Sequence, residues 1–280
     1  MLQYFKKRIH KLIYKNLSGD LNFLVRHIFN VIKRKPQPWL FGKRYIIASS
    51  VSKKRLLILA PHPDDEVLGP GGTLSMHLEE GSDVTVVYLT SGERATQDYD
   101  PLTLAKIRTA EVEKLAKDFH FNYQMWNLED GALKKDDHNI DKMVKLLKQL
   151  NPNEIYLPNF LDAHPDHLVT NQILAAGLRS LKLENCMILG YEVYTTIPLP
   201  NYFVDISDHF NKKMTMLKYH ASQLKIYNLE QLCKSRNGMH YNLAAINSFG
   251  HNGFFEAFIK LPPDLYLEFV DEVFSKFEDD

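Results

Sequence analysis

Apolar runs and amphipathic stretches alternate along the middle of the chain. Residues 56–60 are continuously apolar and residues 84–89 nearly so, which is typical of strands buried on both faces of a parallel sheet. Between such runs, apolar positions recur at helical spacing. The pattern predicts strands at 56–60, 83–90, 121–126, 154–157 and 187–193, with helices between them at 103–120, 139–150 and 167–181. This alternation predicts an α/β fold, a Rossmann-like three-layer sandwich with a mostly parallel sheet.

The two ends of the chain show other patterns. Residues 2–17 and 21–32 carry apolar residues at helical spacing, and a linker rich in Lys, Arg and Pro follows at 33–38. Beyond residue 202 the pattern predicts helices at 207–223, 229–248 and 263–277, with a short apolar stretch at 254–259. We therefore divide the chain into an N-terminal helical extension with its linker, residues 1–50, and a main domain, residues 51–280.

Charge also separates residues 1–50 from the rest. They contain 11 of the 34 Lys and Arg residues and one of the 34 acidic residues, so their formal net charge is +10 and that of residues 51–280 is −10. A basic amphipathic segment suits contact with an anionic membrane surface, with a second subunit or with the acidic main domain itself. The acidic main domain offers no broad basic surface, which argues against nucleic acid as a partner.

The sequence also gives expectations about location. The apolar stretch at 21–32 is interrupted by Arg26 and His27 and is shorter than the ~18 residues that a spanning helix needs. Basic residues near the start break the apolar core that a signal peptide requires. Cys186 and Cys233 lie far apart without C-x-x-C spacing, so we expect two buried thiols rather than a disulfide or a thiolate zinc site. We expect a cytoplasmic protein, with peripheral contact to the inner face of the membrane as a variant of that location.

Two polar clusters follow predicted strands. Residues 61–66, PHPDDE, come directly after the strand at 56–60, and residues 164–167, HPDH, follow the strand at 154–157. Because the carboxyl ends of parallel strands meet at one edge of a sheet, the clusters are expected to lie together. Three imidazole or carboxylate ligands with an open fourth position are what a hydrolytic zinc ion requires. One such cluster alone is equally typical of a turn that caps a helix, but two after two strands favour a metal site.

The same residues resemble a known family. LAPHPDDE at 59–66, the glycines that follow at 69, 71 and 72, and HPDH at 164–167 look like the signature of the LmbE-like or PIG-L family of N-acetylglucosaminyl deacetylases. Weaker similarities at 89–93, 107–111, 130–131 and 219–223 extend the resemblance over about residues 55–260. Pro70 departs from the family pattern, and residues 1–50 have no counterpart in it.

The resemblance implies a role for the residues of both motifs. Three match the family's metal ligands: His62, Asp65 and His167. Asp64 matches the general base, His164 the group that stabilises the oxyanion or acts as acid, and Asp166 the carboxylate that orients His164. The implied reaction is zinc-dependent removal of the acetyl group from an N-acetylated amino sugar, with release of acetate. Iron(II) is a second metal that such a ligand set accepts.

Several alternatives stay open at the level of the sequence. Arg94 and Arg108 are candidates for substrate contact, although an exposed arginine is more often solvated or paired with a carboxylate. Asp162 is the first candidate to complete the metal shell if one of the three ligands is wrong. A zinc hydrolase of a non-sugar amide fits the motifs equally well. A catalytically silent carbohydrate-binding protein would be expected to have lost a base or a ligand, and both are present.

Overall fold

The protein is described by a computed structural model that covers residues 45–181, 183, 185–244 and 253–274. Eight strands form one sheet: β1 (Ile46–Ala48), β2 (Arg55–Ala60), β3 (Asp83–Thr90), β4 (Asn122–Leu128), β5 (Glu154–Pro158), β6 (Met187–Tyr191), β7 (Tyr202–Asp205) and β8 (Phe255–Leu261). Their spatial order is β1-β7-β8-β6-β5-β2-β3-β4. Of these strands, β8 alone runs antiparallel to its neighbours, β6 and β7.

Nine helices connect and follow the strands in the described ranges. They are α1 (Asp65–Leu68), α2 (Gly71–Glu79), α3 (Pro101–Phe119), α4 (Asp137–Leu150), α5 (Pro165–Ser180), α6 (Phe210–Leu217), α7 (Ala221–Leu224), α8 (Leu229–Ala244) and α9 (Pro263–Phe274). Asp100 and Asp136 cap α3 and α4, because each carboxylate accepts the N–H of the residue three positions later. No helix among the described residues combines the length and the apolar character needed to cross a bilayer.

The order of the strands places a crevice at the middle of the sheet. From β2 the chain proceeds outward through β3 and β4, then returns to β5 on the other side of β2 and proceeds outward again to β6. Right-handed crossovers in opposite directions place helices on both faces of the sheet. The point between β2 and β5, where the direction reverses, is where ligands bind in such folds. The predicted Rossmann-like sandwich with a mostly parallel sheet is confirmed.

Burial explains the continuous apolar sequence of β2. Leu56 and Ile58 belong to a core cluster that includes Val67 of α1, Leu74 of α2 and Val112 of α3. The intervening β2 residues are also inaccessible to solvent, so both faces of the strand are covered. Each such aliphatic side chain contributes about 1.5–3 kcal/mol when it is fully buried. The predicted burial of both thiols is confirmed as well.

The structure differs from the predicted elements near both ends. The sequence pattern does not predict β1 or β7, and β1 lies inside the segment assigned to the N-terminal extension. The helix predicted at 207–223 is divided into a 3-10 turn, Ser207–His209, and the helices α6 and α7. The apolar stretch at 254–259 forms β8. The helices predicted at 2–17 and 21–32, and with them the expected membrane or subunit contact, lie outside the described residues.

Residues 45–266 form one compact unit, which contains the whole sheet. Within it, a buried ion pair ties β8 to the turn that follows β2 and α1. The Glu256 carboxylate accepts the N–H groups of Gly72 and Thr73 at the start of α2, each at 2.8 Å. Lys213 Nζ lies 2.7 Å from Glu256 and also donates to the carbonyl oxygens of Leu68 and Gly69. The first turn of α2 therefore has its donors satisfied by a residue 184 positions away in sequence.

Candidate active site

The site lies where the chain leaves β2 and β5, the two strands at the reversal point of the sheet. His62 and Asp65 follow β2, and His167 lies in the first turn of α5, after β5. All three side chains are almost inaccessible to solvent. Because buried charged groups need partners, three of them at one strand edge indicate a site built for a charged ligand. The two clusters that the sequence predicts to lie close together are therefore adjacent in the structure.

Three donor atoms form a nearly equilateral triangle. His62 Nδ1 and His167 Nε2 each lie 3.3 Å from Asp65 Oδ2, and the two nitrogens lie 3.4 Å apart. In a tetrahedral zinc site with bonds of about 2.0–2.1 Å, neighbouring ligand atoms are about 3.3–3.4 Å apart. The triangle therefore matches one face of such a tetrahedron. The donor set, two imidazoles and one carboxylate, also suits zinc or iron(II).

The other nitrogen of His62 faces a second pair of carboxylates. His62 Nε2 lies 3.2 Å from Asp130 Oδ1 and 3.2 Å from Asp166 Oδ2, and these three residues also satisfy the spacing of a metal site, as do His62, His164 and His167. The carboxylates are already held by backbone amides, of Arg94 for Asp130 and of Gly131 for Asp166. A metal-bound histidine usually donates its other N–H to a carboxylate. Asp130 and Asp166 therefore lie where carboxylates that support a metal-binding histidine are usually found, on the Nε2 side of His62.

Asp166 does not occupy the place expected for it. The resemblance implied that its carboxylate orients His164, but its oxygens contact His62 and accept the N–H groups of Gly131 and Leu133. The Asp166 backbone N–H, rather than the carboxylate, donates to His164 Nδ1 at 3.1 Å. The difference arises because Asp166 lies in the first turn of α5, where its side chain turns toward the end of β4.

Charge in this cluster favours a bound cation. Burial lowers the pKa of His62, but three surrounding carboxylates outweigh burial and raise this pKa well above its usual range. Burial likewise lowers the pKa of His167, and the carboxylates of Asp65 and Asp162 raise it to about 9. Burial acts to raise the pKa of Asp65, yet the two histidines hold this pKa well below its usual range. The histidines thus lie in a negative potential that a metal ion can neutralise in place of protons.

Asp64 lies in a strained turn between the two ligands of the first motif. Its φ of 120° is in a region that residues other than glycine rarely adopt. Its backbone N–H donates to Glu66 Oε2 at 2.9 Å, and Glu66 Oε1 lies 2.7 Å from the buried His220 Nε2. Burial raises the pKa of Asp64 to about 6, although the charge of Arg108 opposes the rise. A carboxylate with a pKa close to neutral suits a general base.

The two arginines predicted as substrate contacts are engaged by the protein itself. Arg108 is buried, and its guanidinium donates to the carbonyl oxygens of Gly92 and Pro63 and lies 3.2 Å from Asp64 Oδ2. Gly92 has a φ of 63° and no side chain, which leaves room for this guanidinium. Arg94 is partly exposed and pairs with Glu129 and the Asp130 carbonyl. Arg108 therefore contacts both the backbone and the carboxylate of the turn that carries Asp64.

Replacing Arg108 with methionine is expected to destabilise the fold. The change leaves the buried Asp64 carboxylate without its counter-charge, which typically costs about 3–5 kcal/mol. Arg94→Met is the matched control, because an exposed ion pair contributes about 1 kcal/mol or less. Urea unfolding of both variants, each without metal, measures the difference. Equal stabilities would show that Arg108 does not hold the turn.

His164 is arranged as a neutral hydrogen-bond donor. Its Nδ1 accepts the Asp166 N–H, so in the neutral ring the proton resides on Nε2. Burial, together with the charges of the neighbouring His62 and His167, lowers the pKa of His164 to about 4. The imidazole ring lies 4.6 Å from the ring of His62, between centroids. This placement favours the oxyanion-stabilising role that the resemblance implied over that of a charged acid.

Three supporting residues were missed or placed differently by the sequence analysis. Asp162 was the alternative ligand, but its Oδ1 lies 3.1 Å from His167 Nδ1, on the ring nitrogen opposite the donor triangle. Asp130 lies in the family-like segment 130–131 but was given no role, although it follows the end of β4 and the strand-end rule applies to it as to the two motifs. His220 lies on the short turn before α7, and no local pattern indicates its contact with Glu66 across 154 residues.

Comparison with known proteins gives the chain a family context. Residues 57–178 match the PIG-L family model, described as GlcNAc-PI de-N-acetylase. Diacetylchitobiose deacetylase from Thermococcus kodakarensis is 28% identical over 193 residues, which cover 61% of this chain and 70% of that protein. Residues 57–178 contain both clusters of the donor triangle.

Solved structures share the fold at lower sequence identity. N,N'-diacetylchitobiose deacetylase from Pyrococcus horikoshii aligns with a TM-score of 0.65 and 22% identity, over 86% of this chain and 94% of that one. The 4-carboxy-2-hydroxymuconate hydratase from Pseudomonas putida KT2440 aligns with a TM-score of 0.64 and 16% identity, over 76% of this chain and 97% of that one. Because a deacetylase and a hydratase share this fold, the activity has to be argued from the residues of the site.

Proposed function

We propose that this chain is a metal-dependent N-deacetylase, because residues 57–178 match the PIG-L family model. Its substrate is an N-acetylglucosamine-type conjugate, and its products are acetate and the free amino sugar. One observation carries the proposal: the donor triangle of His62, Asp65 and His167 lies beside a strained Asp64 whose pKa is raised to about 6. The activity named for the Thermococcus relative, deacetylation of diacetylchitobiose, supports the same reaction.

The metal is the first part of the proposal. His62, Asp65 and His167 would hold a zinc ion, with iron(II) as the alternative for the same ligands. Such an ion supplies a Lewis acid and lowers the pKa of a water molecule to about 7. The other ring nitrogen of each histidine lies close to a carboxylate. Asp162 lies next to His167 Nδ1, and Asp130 and Asp166 lie next to His62 Nε2. They fix the ring orientation and the tautomer of each histidine.

The remaining residues move protons and stabilise charge. Asp64 accepts a proton from water as the water attacks the carbonyl carbon of the acetamide. The His164 Nε2–H donates to the carbonyl oxygen while negative charge develops there. Protonated Asp64 then donates its proton to the nitrogen of the departing amine when the C–N bond breaks. Arg108 contacts the Asp64 carboxylate, and Glu66, paired with His220, accepts its backbone N–H, so these residues would hold Asp64 in its strained turn.

The leading alternative is a metal hydrolase of a non-sugar amide. It requires the same ligands and the same base, so the donor triangle does not separate the two functions. A catalytically silent binding protein is less compatible with the site, because the base and all three donors are present and close together. The hydratase that shares the fold shows that other chemistry is compatible with this architecture. The substrate range therefore has to be measured.

Acetate release from N,N'-diacetylchitobiose and other N-acetylglucosamine conjugates is the direct test. The metal-free protein is expected to be inactive, and stoichiometric zinc or iron(II) is expected to restore one acetate for each new amine. An acyclic acetamide serves as the comparison substrate. Folded, metal-loaded protein that releases acetate from no sugar would contradict the proposal, and activity on the acyclic amide alone would establish the alternative.

A further inference from the structure

A tyrosine stands over the histidines of the site. Tyr194 follows β6, the strand next to β5, and its ring lies nearly parallel to His164, with centroids 5.6 Å apart and an angle of 22°. The His167 ring lies 5.4 Å from it, at 32°. Tyr194 nevertheless exposes 65% of its surface. One face of the phenol ring is therefore turned to the imidazoles, and much of the rest is open to solvent.

The backbone beneath this ring is firmly held. Asp162 Oδ2 accepts the N–H groups of Tyr194 and Thr195, at 3.1 and 3.2 Å, and its other oxygen faces His167. Arg236 donates to the Val193 carbonyl at 2.7 Å, and Glu192 accepts the N–H of Ile197 at 2.6 Å. Both of these side chains are buried. A large aromatic side chain that contacts the histidines with one face and keeps most of its surface exposed, on a fixed backbone, suits a pre-organised binding surface.

We propose that Tyr194 is the sugar-recognition surface of the site, and that its exposed face stacks against the pyranose ring of the N-acetylated substrate. The inference rests on the proposed deacetylase function. An aromatic ring carries partial negative charge on its face, which attracts the C–H groups of a sugar, and tyrosine offers this area at the cost of only two torsions. A sugar on this face would be separated from His164 and His167 by the tyrosine ring, so its acetamide would reach the donors past the edge of that ring. An acyclic acetamide has no ring to stack and gains nothing from Tyr194.

Substitution at position 194 tests this role through the ratio of two substrates. Tyr194→Leu, which keeps apolar area but no aromatic face, is expected to raise KM for N,N'-diacetylchitobiose roughly tenfold, equivalent to about 1.4 kcal/mol. Its effect on kcat and on the acyclic acetamide is expected to be much smaller. Tyr194→Phe should recover most of the lost affinity, because it restores the ring. Metal content is measured in each variant to exclude a loss of ligands.

Binding without turnover separates this inference from the deacetylase proposal. Calorimetric titration of diacetylchitobiose into Asp64→Asn protein, with and without Tyr194→Leu, reports the stacking alone. Weaker binding in the double variant supports the inference even if the wild-type chain releases no acetate, a result that would overturn only the proposed function. Equal binding, no binding in either protein, or an equal loss of activity on sugar and acyclic substrates would overturn the role of Tyr194.

Discussion

The Asp64→Asn protein is expected to keep its metal and to lose roughly 10²–10⁴-fold in kcat for acetate release. This is the range that a positioned general base contributes. Asparagine has the shape of aspartate but does not accept a proton, and Asp64 is not part of the donor triangle. Its partner Arg108 can still donate to the amide oxygen, so the turn should persist. Steady-state kinetics and elemental analysis of the same preparation measure both quantities.

Asp141→Asn is a suitable control for this experiment. Asp141 is exposed on α4, so removal of its charge tests the effect of net charge without touching the site. Wild-type kinetics are expected for it. If the Asp64→Asn protein loses its metal together with its activity, Asp64 is a ligand and the division of roles between it and Asp65 is wrong.

Loss of metal is the expected result of alanine at any corner of the donor triangle. His62→Ala, Asp65→Ala and His167→Ala each leave two ligands, and three are the usual minimum for a catalytic zinc. Activity should fall to background with metal content. By contrast, Asp130→Asn and Asp162→Asn remove only supporting carboxylates, and a loss of about 10–100-fold in metal affinity is expected for each. These two variants should regain occupancy at high zinc.

The comparison between Asp65 and Asp130 decides on which side of His62 the metal binds. Metal titrations of Asp65→Ala and Asp130→Ala, each checked for folding by thermal unfolding without metal, give the two affinities. If Asp130→Ala abolishes binding and Asp65→Ala only weakens it, the metal lies at Nε2 with Asp130 and Asp166. The donor triangle would then be a hydrogen-bonded cluster instead of the metal site.

The central strands were predictable because their sequences need no distant information. β2 and β3 are continuous apolar runs, and burial on both faces is what such runs indicate. β1 and β7 have three and four residues and pair with each other, Ile46 opposite Tyr202. Strands this short carry little periodicity of their own. Their existence depends on a contact between segments more than 150 residues apart, which a local pattern does not reveal.

The site shows the same division between local and distant information. The donors of the triangle come from two compact motifs placed after adjacent strands, so the strand-end rule was enough to predict their meeting. The direction of the Asp166 side chain on α5, the burial of Arg108 on α3 and the position of Tyr194 after β6 depend on how separate elements pack. Those arrangements follow from tertiary contacts such as Asp162 with Tyr194, and not from residue spacing.

The Glu256–Lys213 pair has a consequence for the order of events during synthesis. Glu256 supplies the acceptors for the first turn of α2, and 184 residues separate it from Gly72. At about 5–20 residues per second, a ribosome needs roughly 10–40 s to make that stretch. Until then, the start of α2, which follows the first ligand motif, lacks the partners that hold it in the finished protein. We infer that the start of α2 becomes ordered only after Glu256 has been synthesised. Protease protection of arrested nascent chains should then appear as a late step, and early protection would contradict the inference.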